Sequence, residues 1–148
     1  MNPRPASNPR EELRAAGMRA TAQRALILDI LRRSGGHLDA DEIHAVARAQ
    51  DASVSLATVY RTLRALRLAG LIHQRYFGAA HNHDHYETAG EAEHHHLACA
   101  RCGRVEEFET ALGRRLTREL QARHGWVIQK ATILVEGLCP DCARASQG

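Results

Sequence analysis

The chain has 148 residues, of which 25% are charged and 44% hydrophobic, and its formal net charge is +3. This length allows one domain or two small ones, and no apolar run approaches the ~20 residues of a membrane-spanning helix. The N-terminal segment MNPRPASNPREE lacks the apolar core of a secretory signal. We therefore expect a cytoplasmic protein without a membrane partner, with a flexible tail over residues 1–9.

The charge is spread unevenly along the chain. Residues 1–75 carry 12 arginines against 7 acidic residues, a net of +5, whereas residues 76–148 have a net of −2. A basic half suits a polyanionic partner such as nucleic acid. The excess is informative only if the arginines share one face, because many soluble domains carry a similar charge.

The first half of the chain predicts four short helices, each with a start or a stop signal. Their expected ranges are about 9–17, 22–34, 39–50 and 56–69. Thr21 is the expected N-cap of the second helix. Asp39 and Glu42 form a capping-box pattern at the third, and Ser53 or Ser55 caps the fourth. Residues 71–88 follow as a predicted β-hairpin, and short helices before a hairpin favour a winged helix-turn-helix.

The fourth helix divides into an apolar face and a polar face at 100° per residue. The apolar stripe consists of Leu56, Val59, Leu63 and Leu66. Roughly opposite lie Ala57, Thr58, Arg61 and Arg64, with Tyr60 at the border. A recognition helix in a DNA major groove has this arrangement. An ordinary amphipathic surface helix has it too, so both interpretations stay open on this helix alone.

After residue 90 the pattern changes to that of a small α+β unit. It predicts strands over 94–98, 104–108 and 126–135 and a helix over 110–123. A unit of this size buries little apolar surface alone, which favours a zinc staple and dimerisation. We predict a winged-helix DNA-binding domain over residues 1–88 and a dimerisation and metal-binding domain over residues 89–148.

The cysteines form two C-x-x-C pairs, and none is left over. They are Cys99 with Cys102 and Cys139 with Cys142. Two knuckles of this spacing make a tetrahedral thiolate site for Zn²⁺. Two buried reduced pairs or two disulfides are the alternatives, and disulfides are rare in the cytosol. We therefore predict a structural zinc ion that joins two turns.

A histidine cluster lies directly before the first knuckle. On a strand, His94 and His96 point to one face while His95 points to the other. Glu107, on the neighbouring predicted strand, can approach the first two. Two imidazoles on one face form half of a metal site.

Three segments in order resemble one known family. They are residues 17–24 (GMRATAQR), 55–63 (SLATVYRTL) and 94–103 (HHHLACARCG). They look like the N-terminal signature, the recognition helix and the metal-and-knuckle segment of the ferric uptake regulator (Fur) family, and the resemblance covers residues 13–142. It implies a homodimeric bacterial repressor of class α+β. Its N-terminal winged-helix domain would bind AT-rich palindromic double-stranded DNA, and its C-terminal α/β domain would dimerise.

The resemblance also implies site residues that the pattern alone does not give. For the regulatory metal it adds His37 and Glu87, so that the predicted ligands are His37, Glu87, His94, His96 and Glu107. This mixture of nitrogen and oxygen ligands suits Fe²⁺, Mn²⁺, Co²⁺, Ni²⁺ or Zn²⁺. For DNA they are Arg19, Ser55, Thr58, Tyr60 and Arg61. Each of four residues has an alternative interpretation. His37 is then an exposed loop histidine, Glu87 a solvated carboxylate, Arg19 a surface charge and Tyr60 a packing residue.

Two further groups of residues bear on metal binding. The first is His81, His83 and His85 in the predicted hairpin loop, which form either an extra metal site or a solvated loop. If they bind metal, the assignment of Glu87 weakens, since His85 could replace it in the regulatory site. The second corresponds to a further metal site of some family members and reads Glu93, His95, Arg114 and Ala131. We expect that site to be absent or much weakened, because one position is cationic and another has no ligand atom.

Three classes of protein fit parts of this sequence: an enzyme, a zinc-binding adaptor and a metal-sensing repressor. No HExxH motif appears and all four thiols are committed, so we expect no enzymatic activity. An adaptor leaves the recognition helix unexplained. We predict a metal-dependent repressor of metal uptake or homeostasis genes that senses Fe²⁺ or Mn²⁺. Zinc-sensing relatives commonly add a cysteine to the regulatory site, and none is left here. Peroxide-sensing relatives tend to have Asp where both candidate carboxylates of this chain are Glu. A zinc-responsive, nickel-responsive or peroxide-sensing regulator of the same family is the alternative.

Overall fold

The computed structural model describes residues 8–78, 80, 83–89 and 93–146. Its elements in chain order are α1 (Pro9–Ala15), α2 (Ala22–Ser34), β1 (Leu38–Asp39), α3 (Ala40–Gln50), α4 (Leu56–Leu68), β2 (Ile72–Arg75), β3 (His85–Thr88), β4 (His95–Cys99), β5 (Val105–Phe108), α5 (Leu112–His124), β6 (Leu134–Gly137) and α6 (Pro140–Ala145). The predicted α+β class is confirmed. None of the described helices has the length and apolar character that crossing a membrane requires.

The described residues divide into two compact units. The first contains residues 8–76 and 83–89, and the second contains 77, 78, 80 and 93–146. The predicted functional domains, 1–88 and 89–148, stay a prediction. Most of the predicted tail lies outside the described residues, but Asn8 already caps α1.

Side-chain caps set the starts of the helices in the first unit. The predicted cap of α2 is present, and Asp39 and Glu42 form a full capping box at α3. Of the two candidates at α4, Ser55 is the cap, because its hydroxyl accepts a hydrogen bond of 3.1 Å from the Thr58 amide. Each of these bonds satisfies an amide that the first helical turn leaves without a partner.

The core of the first unit is built from the apolar faces of its helices and its sheet. Among its fully buried side chains are Ile27, Leu28, Ile43, Val59, Leu63 and Leu66. On α4 the predicted apolar stripe is therefore confirmed, and Leu56 packs against the same core. Arg61 and Arg64 are exposed on the other side of the helix. The helix thus keeps a polar face that the core does not use.

A three-stranded sheet in the order β1-β3-β2 completes the first unit. The predicted hairpin is present as the antiparallel pair of β2 and β3, and its register places Ile72 opposite Thr88 and Arg75 opposite His85. The two-residue strand β1 pairs with the other side of β3. A strand this short has no readable period, so the sequence did not predict it. Helices followed by a hairpin give the winged helix-turn-helix arrangement.

The sheet of the second unit has the order β5-β4-β6. Its central strand β4 pairs antiparallel with β5 and parallel with β6. The strand predicted over 126–135 was wrong in extent, since β6 spans only Leu134–Gly137. Trp126 and Val127 are instead 74% and 88% exposed. Both residues have a high β propensity, but a segment forms a strand only where a neighbouring strand is present to pair with its backbone.

One face of β4 packs tightly on α5 through His95. This side chain is fully buried, its ring centroid lies 5.5 Å from that of Phe108, and its Nδ1 accepts a hydrogen bond of 3.1 Å from the Ile133 amide. A Cβ added at Gly113 would lie 2.7 Å from His95 Nε2 and 2.9 Å from Glu93 Oε1. Only glycine therefore allows the helix to approach the strand this closely.

We expect Gly113→Ala to lower stability by about 1–3 kcal/mol through overpacking. In a helix with free space at this position the same change would stabilise the protein by roughly 1 kcal/mol. The sign of the change in stability therefore tests the packing. Thermal unfolding followed by circular dichroism measures the change. Gly137→Ala is the control, since an added Cβ there meets nothing within 4 Å. An unchanged or higher melting temperature for Gly113→Ala would contradict the close approach.

Candidate functional site

The four cysteine sulfurs meet in the second unit. Cys99 ends β4 and Cys139 is the N-cap residue of α6, and the four Sγ atoms all lie within 4.8 Å of one another. The Sγ atoms of Cys102 and Cys139 are 3.7 Å apart. Neighbouring sulfurs of a tetrahedral Zn²⁺ site are ~3.8 Å apart, because each Zn–S bond is about 2.3 Å. All four are free thiols, so this donor set suits a structural zinc ion.

Backbone amides around these sulfurs favour the thiolate form. The Cys139 amide donates to Cys99 Sγ at 3.3 Å. Hydrogen bonds from the Cys102 amide, and next from the Cys139 and Arg101 amides, lower the pKa of Cys99 to about 6. Hydrogen bonding with Cys139, assisted by desolvation, raises the pKa of Cys142 to about 12. The amides therefore favour the thiolate at Cys99, and the neighbouring sulfurs favour a proton at Cys142 that a metal ion must displace.

In the first unit, His37 and Glu87 form one pair of candidate ligands. His37 precedes β1, and its Nδ1 lies 3.1 Å from Oε2 of Glu87 in β3. The two side chains are 9% and 6% exposed. The other carboxylate oxygen, Oε1, accepts a hydrogen bond of 2.7 Å from Nε of Arg75. The sequence alternatives of an exposed histidine and a solvated carboxylate do not describe these buried groups.

In the second unit, His94, His96 and Glu107 lie on one face of the sheet. His96 is directly opposite Glu107 in the β4–β5 pair, and the two offer ligand atoms within 4.8 Å of each other. The ring centroids of His94 and His96 are 5.0 Å apart. The ring centroid of Phe77 lies 5.0 Å from that of His96 with the planes tilted by 58°, and His96 is almost fully buried. Imidazole nitrogens beside a carboxylate oxygen suit a divalent cation.

The histidine-rich loop is only partly described. His81 lies outside the described residues, His83 is exposed, and His85 is half-buried in β3. In the part of the chain that the structure describes, neither His83 nor His85 belongs to a cluster of three or more candidate ligands. A metal role for this loop stays a prediction.

The geometry of His95 bears on the further metal site of some relatives. Because Nδ1 accepts the Ile133 amide, the neutral ring carries its proton on Nε2. That nitrogen is buried without a hydrogen-bond partner among the described residues. A protonated Nε2 has no lone pair to offer a cation. The weakening of that site, expected from Arg114 and Ala131, stays a prediction, which this tautomer of His95 favours.

The candidate DNA-binding residues lie on exposed surfaces of the first unit. Tyr60 is 49% exposed, which disfavours a role as a packing residue, and Arg61 and Arg19 are exposed. The Arg61 Nη2 donates to Thr58 Oγ1 at 3.2 Å. The same oxygen lies 3.0 Å from Ser55 Oγ. The cap of α4 thus holds the arginine through a short chain of hydrogen bonds.

Residues 15–136 match the model of the ferric uptake regulator family. The chain belongs to this family. It is 38% identical over 118 residues to the ferric uptake regulation protein of Brucella abortus, covering 80% of this chain and 82% of that protein. It is 30% identical over 143 residues to the ferric uptake regulation protein of Synechococcus elongatus, covering 95% and 96%. The ferric uptake regulator of Pseudomonas aeruginosa with manganese has a similar structure, with a TM-score of 0.76, 30% identity, and coverage of 88% of this chain and 96% of that one.

Family membership settles the class of protein. Members of the ferric uptake regulator family are DNA-binding, metal-binding transcriptional regulators. The chain is therefore a metal-responsive transcriptional regulator and not an enzyme. The resemblance that the three sequence segments carried is confirmed.

Sequence reasoning missed Arg75 at Glu87. The partner strand of the hairpin was predicted, but its register was not. With His73 opposite Glu87, a period of two places Arg75 on the same face as the carboxylate. A register assigned from the hairpin would have revealed the pair.

Proposed function

We propose that this regulator is a homodimeric repressor that binds AT-rich palindromic DNA when it holds a regulatory metal ion, with Fe²⁺ or Mn²⁺ the sensed metal. The observation that carries the proposal is the pair of ligand groups, His37–Glu87 in one unit and His94–His96–Glu107 in the other. Each group offers imidazole nitrogen and carboxylate oxygen, the donors that Fe²⁺ and Mn²⁺ accept. The manganese bound to the Pseudomonas aeruginosa relative supports this choice.

The DNA-binding surface is the exposed face of α4 with the loop before α2. Tyr60 contacts a thymine methyl group in the major groove, and Arg61 contacts a phosphate or a guanine edge. Arg19 enters the narrow minor groove of an AT-rich flank, where the negative potential is concentrated. The exposure of these side chains supports the proposal.

The dimer forms through the second unit. Its helix α5 exposes an apolar stripe at a spacing of four residues, with Leu112, Leu116 and Leu120 exposed by 57%, 43% and 37%. Trp126 and Val127, which follow α5 in the chain, are also exposed. A second copy of the chain fits, because a two-fold interface buries the same apolar patch on both subunits.

The switch acts through the freedom of the DNA-binding domains. One ion that takes ligands from His37 and Glu87 and also from His94, His96 and Glu107 links each DNA-binding domain to the dimer. Two recognition helices are then held about 34 Å apart, one turn of DNA. A nearly complete shift of the population needs roughly 10⁴-fold preference of the ion for the competent state. By linkage, DNA must tighten metal binding in return.

The Cys₄ cluster has a separate, structural role. Zinc bound by Cys99, Cys102, Cys139 and Cys142 holds the end of β4 against the start of α6. Arg101 supports the same junction, since its Nη1 donates to the Cys142 carbonyl at 3.2 Å and to Ser146 Oγ at 2.9 Å. The free energy of zinc binding then contributes directly to folding.

We expect Cys99→Ser to lose its zinc and to be unfolded or monomeric, because three remaining sulfurs leave the ion incompletely bound. Native mass spectrometry measures zinc content and oligomeric state, and circular dichroism measures folding. The wild-type protein treated with a chelator is the control and should lose the same properties. A stable, zinc-free dimer of the variant would refute the structural role.

The regulatory site is tested by operator binding with one metal at a time. We expect the wild-type protein, with a palindrome selected from random DNA, to bind in Fe²⁺ without oxygen or in Mn²⁺. His94→Ala should keep zinc and the dimer but lose the metal-dependent increase in affinity, measured by fluorescence anisotropy. His124→Ala, an exposed change on α5, is the control. If His94→Ala and the wild type bind DNA equally well in the presence of metal, the site is ruled out. If the wild-type protein responds only to Zn²⁺, Ni²⁺ or peroxide, the alternative sensor is selected.

We expect Arg61→Ala to weaken operator binding without changing metal affinity. If Arg61 contacts a phosphate, the slope of log affinity against log salt should fall in magnitude by about 1. Binding across a salt series measures the slope. Arg118→Ala removes an exposed arginine from α5 instead and should have no effect. Wild-type affinity and slope for Arg61→Ala would exclude this face of α4 as the DNA-binding surface.

A further inference from the structure

Glu87 is the one buried acidic residue in the described part of the chain, with 5% of its surface exposed. An ionised carboxylate is unfavourable in such a place unless a cation or several hydrogen bonds compensate it. The proposed regulatory metal is one such cation. The structure shows a second one, which belongs to the chain itself.

The second cation is the guanidinium group of Arg75. Its Nε donates to Glu87 Oε1 at 2.7 Å, the short distance of a charge-assisted hydrogen bond. The Arg75 side chain is 18% exposed, so the pair is largely shielded from water. The other oxygen, Oε2, lies 3.1 Å from His37 Nδ1. The two oxygens therefore have different roles, since one holds the guanidinium and the other faces the candidate metal ligand.

The hairpin register makes this contact intrinsic to the fold. Glu87 is directly opposite His73, and Arg75 is directly opposite His85. Arg75 and Glu87 are thus diagonal neighbours on one face of an antiparallel pair, a separation that a long side chain spans. Both residues lie in regular strands of the first unit, so the pair does not depend on a loop.

The guanidinium group is incompletely bonded in this position. Its Nη2 is buried without a hydrogen-bond partner among the described residues. Arginine remains charged in a buried site, so attraction to the carboxylate must compensate for this unsatisfied donor. Once another cation neutralises Glu87, the guanidinium gains by turning towards water.

We propose that Arg75 is a resident counter-ion of Glu87 that sets the threshold for the regulatory metal. When no metal is bound, Arg75 neutralises the carboxylate and stabilises the fold. A divalent ion must then compete with a positive charge that is already in place, and this lowers its affinity. The inference rests on the proposed function, in which Glu87 is a ligand of the regulatory metal.

The opposite role would be that of a positioning residue. An outer hydrogen bond to a ligating carboxylate commonly strengthens metal binding, and its loss then weakens affinity by 10–100-fold. The two roles predict changes of opposite sign in metal affinity when the arginine charge is removed. The sign of the change in metal affinity therefore decides between them.

The test compares Arg75→Gln with Arg75→Lys in the zinc-replete, full-length dimer. Arg75→Gln should bind Mn²⁺ about tenfold more tightly, within the usual range of coupling between sites, and should melt at a lower temperature without Mn²⁺. Arg75→Lys, which keeps the charge, should stay close to wild type in both. Titration calorimetry with Mn²⁺ measures affinity, and thermal unfolding in its absence measures the second effect. Arg48→Gln, which removes an exposed arginine from α3, controls for net charge.

A further single variant, Glu87→Gln, keeps the two proposals separate. If Glu87→Gln leaves Mn²⁺ binding unchanged, Glu87 is not a ligand and the proposed metal site fails. If Glu87→Gln abolishes binding but Arg75→Gln binds Mn²⁺ as weakly as wild type, or more weakly, only the counter-ion role is overturned. Should Arg75→Gln be unfolded without Mn²⁺, the ion is expected to refold it by supplying the missing charge. Failure of Mn²⁺ to do so also overturns the role.

Discussion

Four sulfur atoms that lie within 4.8 Å of one another repel each other as thiolates unless a cation or protons neutralise their charges. This constraint reaches beyond the cysteines, because Cys99 is the last residue of the strand that carries His95 and His96. The same strand is the centre of its sheet and receives hydrogen bonds from β5 and β6. An ion at the knuckles therefore fixes the end of β4, and through it the direction in which the histidines point. The proposed structural and regulatory metals thus take ligands from the same five-residue strand, Cys99 for one and His96 for the other.

The two faces of that strand have different chemistry, although both carry histidine. His95 is locked by the Ile133 amide and by Phe108, so its ring is part of the packing against α5. His96 lies across from Glu107, and we propose it as a metal ligand. The alternation of a β-strand alone separates these roles. A shift of one residue in the strand register would exchange the two faces and would place the ring of His95 on the face of Glu107.

Local signals in the sequence predicted most of the first unit, and long-range pairing limited the rest. The cap at Ser55, the capping box at Asp39 and the apolar stripe of α4 depend on neighbours within one or two turns, so the sequence contains them. The knuckle spacing predicted that the cysteines would meet. The strand over 126–135 failed because a ladder needs a partner that local composition does not specify. The pair of Arg75 and Glu87 was missed because it follows from the hairpin register.

The arginines show why charge counted from sequence differs from charge available to a ligand. Within the basic half, Arg32 pairs with Glu12 and Arg33 with Asp29, and Arg75 is committed to Glu87. Arg61 is exposed and held by a neutral hydroxyl, so its charge is directed outwards. Guanidinium suits both situations, because it stays ionised in a buried pair and forms a fork for phosphate or base edges at the surface. The charge of the same side chain is thus neutralised by a carboxylate inside the fold and available to a polyanion at the surface, and burial decides which.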